Sequence, residues 1–392
     1  MTEFRPADWL IVAVVTLSAM FIGMIFSSVA PVLPAVVKYY GGGDHGAFVA
    51  QWFLTAPAIG VVIGGPVSGW FIERLGARAV LTTCLVVFAL AGTSVLAIDS
   101  VALLFACRFL VGLTAVGQLT AILSLVAERY PSEMRGRIVG LQSAFAIAGS
   151  IIIVMSAGRL AEIGDWRTPS ILYTAAIPVL VASLALFKSP GQGASVARTG
   201  NLRALAKLTP TYLMVAATMM VTFIPTNQVP LLLAEDGVAN ASKIAIVMGA
   251  GSLAMALGGF SYSRVRRRFS VKGTLSIALT LLSIGLAGLS LLHGMVLTIV
   301  AIAFLSVGGG LLTPLFSHHI LDNAPPAVRG RAVGFMFAAQ FTGPILNSVI
   351  IAPAVVMAGR RIVIASIAVA LALWGLSLIR SLFVRNISAQ RV

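Results

Sequence analysis

Polar side chains interrupt the long apolar runs of this sequence at a few positions, and these residues are its candidates for chemistry. The only cation among them is Arg108, set between "LLFAC" and "FLVGL". A charge in hydrocarbon is costly, so an ionisable residue at membrane depth is by default a functional candidate. We expect Arg108 to bind an anion or to assist proton coupling. The alternative is a structural arginine bonded to backbone carbonyls.

Two adjacent histidines, His318 and His319, are the second candidates. Imidazole titrates near neutral pH, and His318 shares a helix face with Asp322 at i and i+4. This pattern predicts a proton relay or a cytoplasmic gate; the alternative is an interfacial pair at a helix end. The sequence offers these rings in place of a carboxylate, because all twelve acids lie in loops or near helix ends.

Amides form the third group. An amide buried without a partner is costly, so these side chains should face a wet cavity or one another. We interpret them as substrate hydrogen-bonding groups, with interhelical hydrogen bonds as the alternative. The group consists of Gln118, Asn227, Gln228, Gln340 and Asn347.

Composition decides which solvent surrounds the elements that carry these residues. Charged residues make up 10% of the chain and hydrophobic residues 59%, with mean hydropathy +1.01, whereas soluble domains carry about 25% charged residues. The net charge of +15 sits in short clusters between apolar runs, which argues against nucleic-acid binding. Cys84 and Cys107 are isolated, and no zinc motif, phosphate loop or catalytic triad spacing appears.

We therefore predict a membrane protein that is not an enzyme and has no cofactor or metal. Its expected partners are a small-molecule substrate, protons and membrane lipid, and we expect a monomer.

The apolar runs predict an all-α integral membrane protein with twelve transmembrane helices. Each run is long enough to cross about 30 Å of hydrocarbon, and a spanning segment must be helical to pair its amides. Lys and Arg number 20 on one side and 6 on the other, which predicts cytoplasmic termini and an inner (plasma) membrane location. The predicted spans are 9–33, 48–72, 79–98, 101–127, 138–160, 168–187, 210–233, 244–263, 273–292, 295–321, 332–356 and 362–384.

A repeated decapeptide indicates duplication. "PSEMRGRIVG" at 131–140 and "PPAVRGRAVG" at 325–334 lie 194 positions apart. We predict two pseudo-symmetric six-helix halves, 1–187 and 210–392, joined by a cytoplasmic linker at 188–209. Transporters built from parallel repeats bind substrate near the midplane at the repeat interface and alternate access by rocking.

Several motifs resemble the major facilitator superfamily over the whole chain. "GWFIERLGAR" at 69–78 is similar to its signature loop Gly-x-x-x-Asp-Arg-x-Gly-Arg-Arg/Lys, with Glu73 and Ala77 as departures. Arg108 and Gly112 match its Arg-x-x-x-Gly motif. "QWFLTAPAIGVVIGGPVSGW" resembles the second span of the drug:proton antiporter branch, although span 5 lacks that branch's proline.

The glycines of this span, Gly60, Gly64, Gly65 and Gly69, follow a spacing that favours close helix packing.

The resemblance implies the major facilitator fold and secondary active transport, with proton-coupled efflux of small amphipathic organic compounds by alternating access. Uptake or exchange of an organic anion, with Arg108 as counter-charge, is the alternative within transporters. A non-transporting membrane receptor or scaffold is the alternative of another class.

The repeated loops and the signature loop together predict a cytoplasmic gate. Acids at the ends of spans 4 and 10 would pair with arginines of the loops and hold an outward-facing state; the alternative is simple topology anchoring. The predicted gate residues are Gly69, Glu73, Arg74, Gly76, Arg78, Glu128, Arg135, Arg137, Asp322, Arg329 and Arg331.

Overall fold

The computed structural model describes residues 6–187, 202–325 and 328–389, and over these residues every regular element is a helix. Twelve helical segments are long and apolar enough to cross a membrane. The predicted all-α architecture with twelve spans is therefore confirmed. The described part of the chain is that of a multi-pass membrane protein.

Two compact units divide the chain, Met1–Gly200 and Asn201–Val392. Of the predicted linker, 188–201 lies outside the described residues, and Leu202–Leu208 forms a 3₁₀ helix. The linker's cytoplasmic location stays a prediction.

Six spans lie in the first unit. Its α-helices are α1 (Pro6–Ser27), α2 (Leu33–Tyr39), α3 (Gly43–Leu75), α4 (Ala77–Thr93), α5 (Val101–Arg129), α6 (Ser132–Ile163) and α7 (Ala176–Leu186). Short 3₁₀ helices occupy Ala30–Val32, Ser94–Leu96 and Thr168–Ala175.

The second unit carries the other six spans. Its α-helices are α8 (Thr209–Thr222), α9 (Ile224–Glu235), α10 (Ala241–Arg268), α11 (Val271–Leu291), α12 (Met295–Asn323), α13 (Arg329–Leu346), α14 (Ala352–Ala358) and α15 (Arg360–Ala389). A π-helix, Asn347–Ile351, joins α13 to α14.

Spans 1, 7 and 11 are interrupted, which the hydropathy pattern did not predict. Span 7 changes helix at Phe223, next to Pro225, and span 11 passes through the π-helix between Pro344 and Pro353. Proline removes a backbone donor and clashes with the carbonyl four residues earlier, and single π-turns are frequent at functional sites. The breaks in spans 7 and 11 therefore leave backbone and side-chain polar groups available for hydrogen bonds outside the regular helix.

Glycines bring α3 and α5 into close contact. A Cβ added at Gly60 would lie 2.1 Å from the Phe109 carbonyl oxygen, and one at Gly112 would lie 1.9 Å from the Pro57 carbonyl oxygen. No neighbouring atom lies within 4 Å of the corresponding Cβ position at Gly65. Close packing therefore depends on particular members of the glycine pattern.

The same contact recurs in the second unit between α10 and α12. A Cβ at Gly258 would lie 2.3 Å from the Val307 carbonyl oxygen. Gly258 follows Gly64 by 194 positions, the offset of the repeated decapeptide. At Gly64 an added Cβ would lie 2.8 Å from the carbonyl oxygen of Leu113, the equivalent of Val307, so the repeat extends to the packing of the helices.

Candidate functional site

Arg108 lies inside the first unit, with 1% of its surface exposed. Its Nε donates to the Phe53 carbonyl at 3.0 Å and its Nη2 to the Ile25 carbonyl at 2.5 Å. Its Nη1 donates to the Tyr173 hydroxyl at 2.6 Å. Every guanidinium nitrogen thus has an acceptor, and the arginine joins α5 to α1, α3 and the 3₁₀ helix Thr168–Ala175.

Local sequence explains why these two carbonyls are available. Pro57, four residues after Phe53, has no N–H to donate within α3. Ile25 lies in the last turn of α1, where carbonyls lose their intrahelical donors. A proline within α3 and the end of α1 therefore leave the two carbonyls free to accept from Arg108. This arrangement agrees with the alternative of a structural arginine bonded to backbone carbonyls.

Gln118, also on α5, has 0% exposure, and neither Oε1 nor Nε2 has a hydrogen-bond partner among the described residues. Leaving a buried polar group unpaired costs about 1–3 kcal/mol. Such groups are rare in native proteins and call for an explanation. A polar ligand or water that pairs with the amide would supply one.

Asn227 and Asn347 meet in the second unit. Asn227 Nδ2 donates to Asn347 Oδ1 at 3.0 Å, and Asn347 Nδ2 donates to the Met220 carbonyl at 3.2 Å. Both side chains are 0% exposed. The structure thus brings together two of the five predicted amides, at the points where spans 7 and 11 depart from regular α-helix.

Gln228, the next residue of α9, is also 0% exposed. Its Oε1 accepts a short hydrogen bond from Arg360 Nη1, while its Nε2 has no partner among the described residues. Arg360 Nε also donates to Glu235 Oε1 at 3.0 Å. The sequence patterns did not single out Arg360, and this contact was not predicted. The fifth amide, Gln340, is partly exposed on α13.

Arg361, the neighbour of Arg360, fastens the end of α9 to the end of α11. Its Nη2 donates to Asp236 Oδ1 at 2.7 Å, and its Nη1 donates to the Leu292 carbonyl at 3.0 Å. Arg167 lies 194 positions earlier and forms an ion pair with Asp99. Equivalent arginines of the two units therefore bond to equivalent interhelical loops.

Two titrating groups outside the spans, Asp99 and Tyr40, have shifted pKa values for different reasons. Hydrogen bonds from Arg167 and then from Tyr39 hold the pKa of the Asp99 carboxyl below its ordinary value, although that carboxylate is exposed. Burial raises the pKa of the Tyr40 phenol. The Arg167 guanidinium also lies 4.9 Å from the Trp166 ring centre.

In the structure, the two histidines of the predicted site contact Tyr262 and Asn323. The exposed His318 stacks on Tyr262 of α10, with ring centres 5.5 Å apart. The His319 carbonyl accepts from Asn323 Nδ2 at 2.7 Å. A role of either ring in proton coupling stays a prediction.

The predicted gate residues include three arginines whose contacts are described within their own unit. The Arg74 guanidinium lies 3.9 Å from the Trp70 ring centre. Arg78 donates to the Leu184 carbonyl at 3.5 Å, and Arg329 to the Ala324 carbonyl at 3.4 Å.

Gly76 ends α3 with φ +82, a conformation that favours glycine, which accounts for this position of the signature loop. Glu128 and Asp322 are exposed. The network that would join them across both halves stays a prediction.

One apolar cavity of about 270 Å³ lies in the first unit between α1, α6, α7 and the 3₁₀ helix Thr168–Ala175. Its walls include Met20, Phe21, Met24 and Ile153, and Ser156 supplies a hydroxyl. Among the described residues, no cluster of three or more His, Cys, Asp or Glu side chains could hold a metal ion.

A family model described as Major Facilitator Superfamily matches residues 15–348, with a second match over 211–389. The chain belongs to this superfamily. The family it matches is one of transporters rather than of enzymes. The first match alone covers most of both units.

Curated relatives are transporters of small organic molecules by name. The chain is 32% identical over 104 residues to a niacin transporter of Acinetobacter baylyi, which covers 26% of this chain and 24% of that protein. It is 25% identical over 191 residues to the arabinose-proton symporter of Escherichia coli, covering 47% and 38%. A minor myo-inositol transporter of Bacillus subtilis is 26% identical over 111 residues, covering 28% and 25%.

The matched segments thus span well under half the length of these relatives. The relatives do not support the predicted drug:proton antiporter branch, nor the antiport and efflux that it implied.

Solved structures show the same fold. The nucleoside transporter NupG superposes with TM-score 0.76 at 14% identity, over 96% of this chain and 99% of that one. A D-xylose-proton symporter gives TM-score 0.71 at 17% identity, over 94% and 97%.

Proposed function

We propose that this transporter carries a small, neutral solute rich in hydroxyl groups, and that it works by uptake. The observation that carries the proposal is a set of buried amides in the second unit. Asn227 bonds to Asn347 where spans 7 and 11 are interrupted, and Gln228 is the next residue of α9. Ligand sites in transporters are commonly built where spanning helices are discontinuous.

Hydroxyl groups suit amides because each side both donates and accepts hydrogen bonds. A carboxylate only accepts, and it is best bound by a cation. Arg108 already donates from each of its nitrogens to the protein. This engagement favours a neutral solute over the organic anion for which Arg108 would be the counter-charge.

The names of relatives also favour a neutral solute rich in hydroxyl groups, because an arabinose-proton symporter and a myo-inositol transporter are among them. Gln118 offers a further unpaired amide in the first unit. We keep Gln118 and Gln340 as proposed substrate-binding residues beside the three amides of the second unit.

Efflux of amphipathic compounds by proton antiport is the second candidate. It is favoured by the apolar cavity of about 270 Å³ that Met20, Phe21 and Met24 help to line. Flexible thioethers and aromatic rings fit ligands of varied shape. A polyol would gain little from such walls, so the two candidates predict opposite solute preferences.

Uptake into proteoliposomes tests the proposal. Radiolabelled L-arabinose, D-xylose and myo-inositol are offered to the wild type, to Asn347→Leu and to Ser156→Ala, which changes the apolar cavity instead. We expect saturable uptake that Asn347→Leu lowers at least tenfold, because an amide of the site would lose its partner. No uptake of any polyol, together with transport of lipophilic cations, would replace the proposal by the second candidate.

Proton coupling is read with a pH-sensitive dye inside the same vesicles. We propose that His318 takes part, so His318→Asn should abolish solute-driven proton flux while His319→Asn retains it. Solute-driven proton flux retained in His318→Asn would remove His318 from the coupling step.

A further inference from the structure

We infer that Arg360 is a positioning residue, which holds the amide of Gln228 so that Nε2 is offered as a donor to an oxygen of the solute. The inference rests on the proposed function and adds to it a donor atom and the residue that aims it.

The guanidinium determines which way the amide points. Side-chain amide orientation is ordinarily ambiguous because its oxygen and nitrogen look alike. Arg360 has donors and no acceptor, so the atom of Gln228 that it meets must be the carbonyl oxygen. The contact is present, from Arg360 Nη1 to Gln228 Oε1. Nε2 is therefore the other end of the amide.

That other end has no hydrogen-bond partner among the described residues and is buried. It belongs to the residue adjacent to Asn227, whose amide bonds to Asn347. A buried N–H₂ group in this position requires an acceptor, and a hydroxyl or ring oxygen of a solute supplies one without adding charge.

Arg360 is itself fixed on two sides. Its Nε bonds to Glu235, seven residues and about two turns after Gln228 on α9, so both partners lie on one helix face. Gly359, with φ +84, ends α14 and turns the chain into α15. Because Arg360 is fixed, the Gln228 amide that it holds loses little conformational freedom when solute binds. The expected result is a higher affinity for solute.

A double-mutant cycle in proteoliposomes tests the inference. L-arabinose, D-xylose and myo-inositol are the probes, and kcat, KM and equilibrium binding are measured for the wild type, R360M, Q228M and the double variant. We expect R360M and Q228M each to raise KM about tenfold with kcat nearly kept, because one charge-assisted or amide hydrogen bond is lost. The double variant should be no worse than Q228M.

Two further variants separate positioning from a structural role. R361M breaks the bonds to Asp236 and leaves Gln228 untouched, so it should lower the melting temperature and leave KM unchanged. R360K should recover part of the affinity, since it keeps one donor. R360M effects that persist in the Q228M background, or an equal KM increase in R361M, would overturn the inference.

The outcomes also distinguish a failure of this inference from a failure of the proposed function. A wild type that binds and carries none of the probes would overturn both. A wild type that binds a probe, with R360M binding it equally well, would overturn only the role of Arg360.

Discussion

The guanidinium of Arg108 stabilises several segments of the first unit at once, because its three bonds end on three different elements. Removing one partner of a buried charged hydrogen-bond group leaves the others without compensation. The acceptors it would orphan include two main-chain carbonyls, for which no other donor is at hand in their own helices.

We expect Arg108→Lys to lower the free energy of unfolding by about 2–5 kcal/mol, since an ammonium cannot reach all three acceptors. Tyr173→Phe removes two hydrogen bonds of the hydroxyl, one with Arg108 and one with Ser28, and should cost about 1–3 kcal/mol. Thermal unfolding of both variants in detergent checks these values.

Solute affinity measured on the same samples decides between the two interpretations of Arg108. If Arg108→Lys unfolds like the wild type but loses solute binding, a direct contact of the guanidinium with the solute would be supported and the structural role would not.

A second prediction at the residue scale concerns the hydrogen bond between Asn227 and Asn347. Asn347→Leu leaves a buried amide without its acceptor and should cost about 1–3 kcal/mol. Asn227→Leu combined with it should cost less than the sum of the single changes, because the interaction is lost once. Additive losses in thermal unfolding would show that the bond contributes no coupling.

Helix packing in the first unit depends on the glycines at which α3 and α5 approach most closely. Gly60→Ala should destabilise the protein by about 1–3 kcal/mol, because its Cβ would overlap the Phe109 carbonyl and push α3 from α5. Gly65→Ala on the same helix meets open space and should be neutral or stabilising by up to about 1 kcal/mol.

Melting temperatures of the two variants form a matched comparison. A similar loss in both would indicate that helix flexibility rather than contact distance selects glycine here.

The ion pair between Asp99 and Arg167 ties two loops of the first unit. The pKa of the Asp99 carboxyl is lowered in the folded protein, chiefly by the hydrogen bond from Arg167. The pair therefore stabilises fully above the unfolded pKa of about 3.9 and loses its effect as pH falls through the lower folded value.

Asp99→Asn should lower the melting temperature slightly at pH 7, and the deficit should stay constant down to about pH 5 and shrink below about pH 4. Asp44→Asn, at an exposed acid at the start of α3, serves as the control. A melting-temperature deficit that grows on acidification would contradict the pH dependence derived from the lowered pKa of Asp99.

At the scale of the whole molecule, the distribution of basic residues predicts topology. A membrane-impermeant maleimide should label S195C, in the predicted cytoplasmic linker, only after permeabilisation. It should label D44C in intact cells. The native Cys84 and Cys107 are buried, so their background is low. Labelling of S195C in intact cells would reverse the predicted orientation of the termini.

Some properties of this protein follow from the sequence by itself. The number of spans and the all-α architecture are properties of length and hydropathy, since about 20 apolar residues must cross the hydrocarbon as a helix. The duplication is readable because "RGR" recurs at an offset that also relates Gly64 to Gly258 and Arg167 to Arg361. Membership of the superfamily followed from motifs, whereas its drug:proton antiporter branch was inferred from motif likeness that the relatives do not support.

Tertiary structure alone decided which polar residues have partners. Hydropathy marks Arg108 as costly, but only the fold places it against the carbonyls that Pro57 and the end of α1 leave unpaired. Likewise, Arg360 and Gln228 lie 132 positions apart, and no local pattern connects them. Partners of this kind arise from where helices end and approach, and hydrogen bonding depends on ångström distances that residue spacing along the chain does not carry.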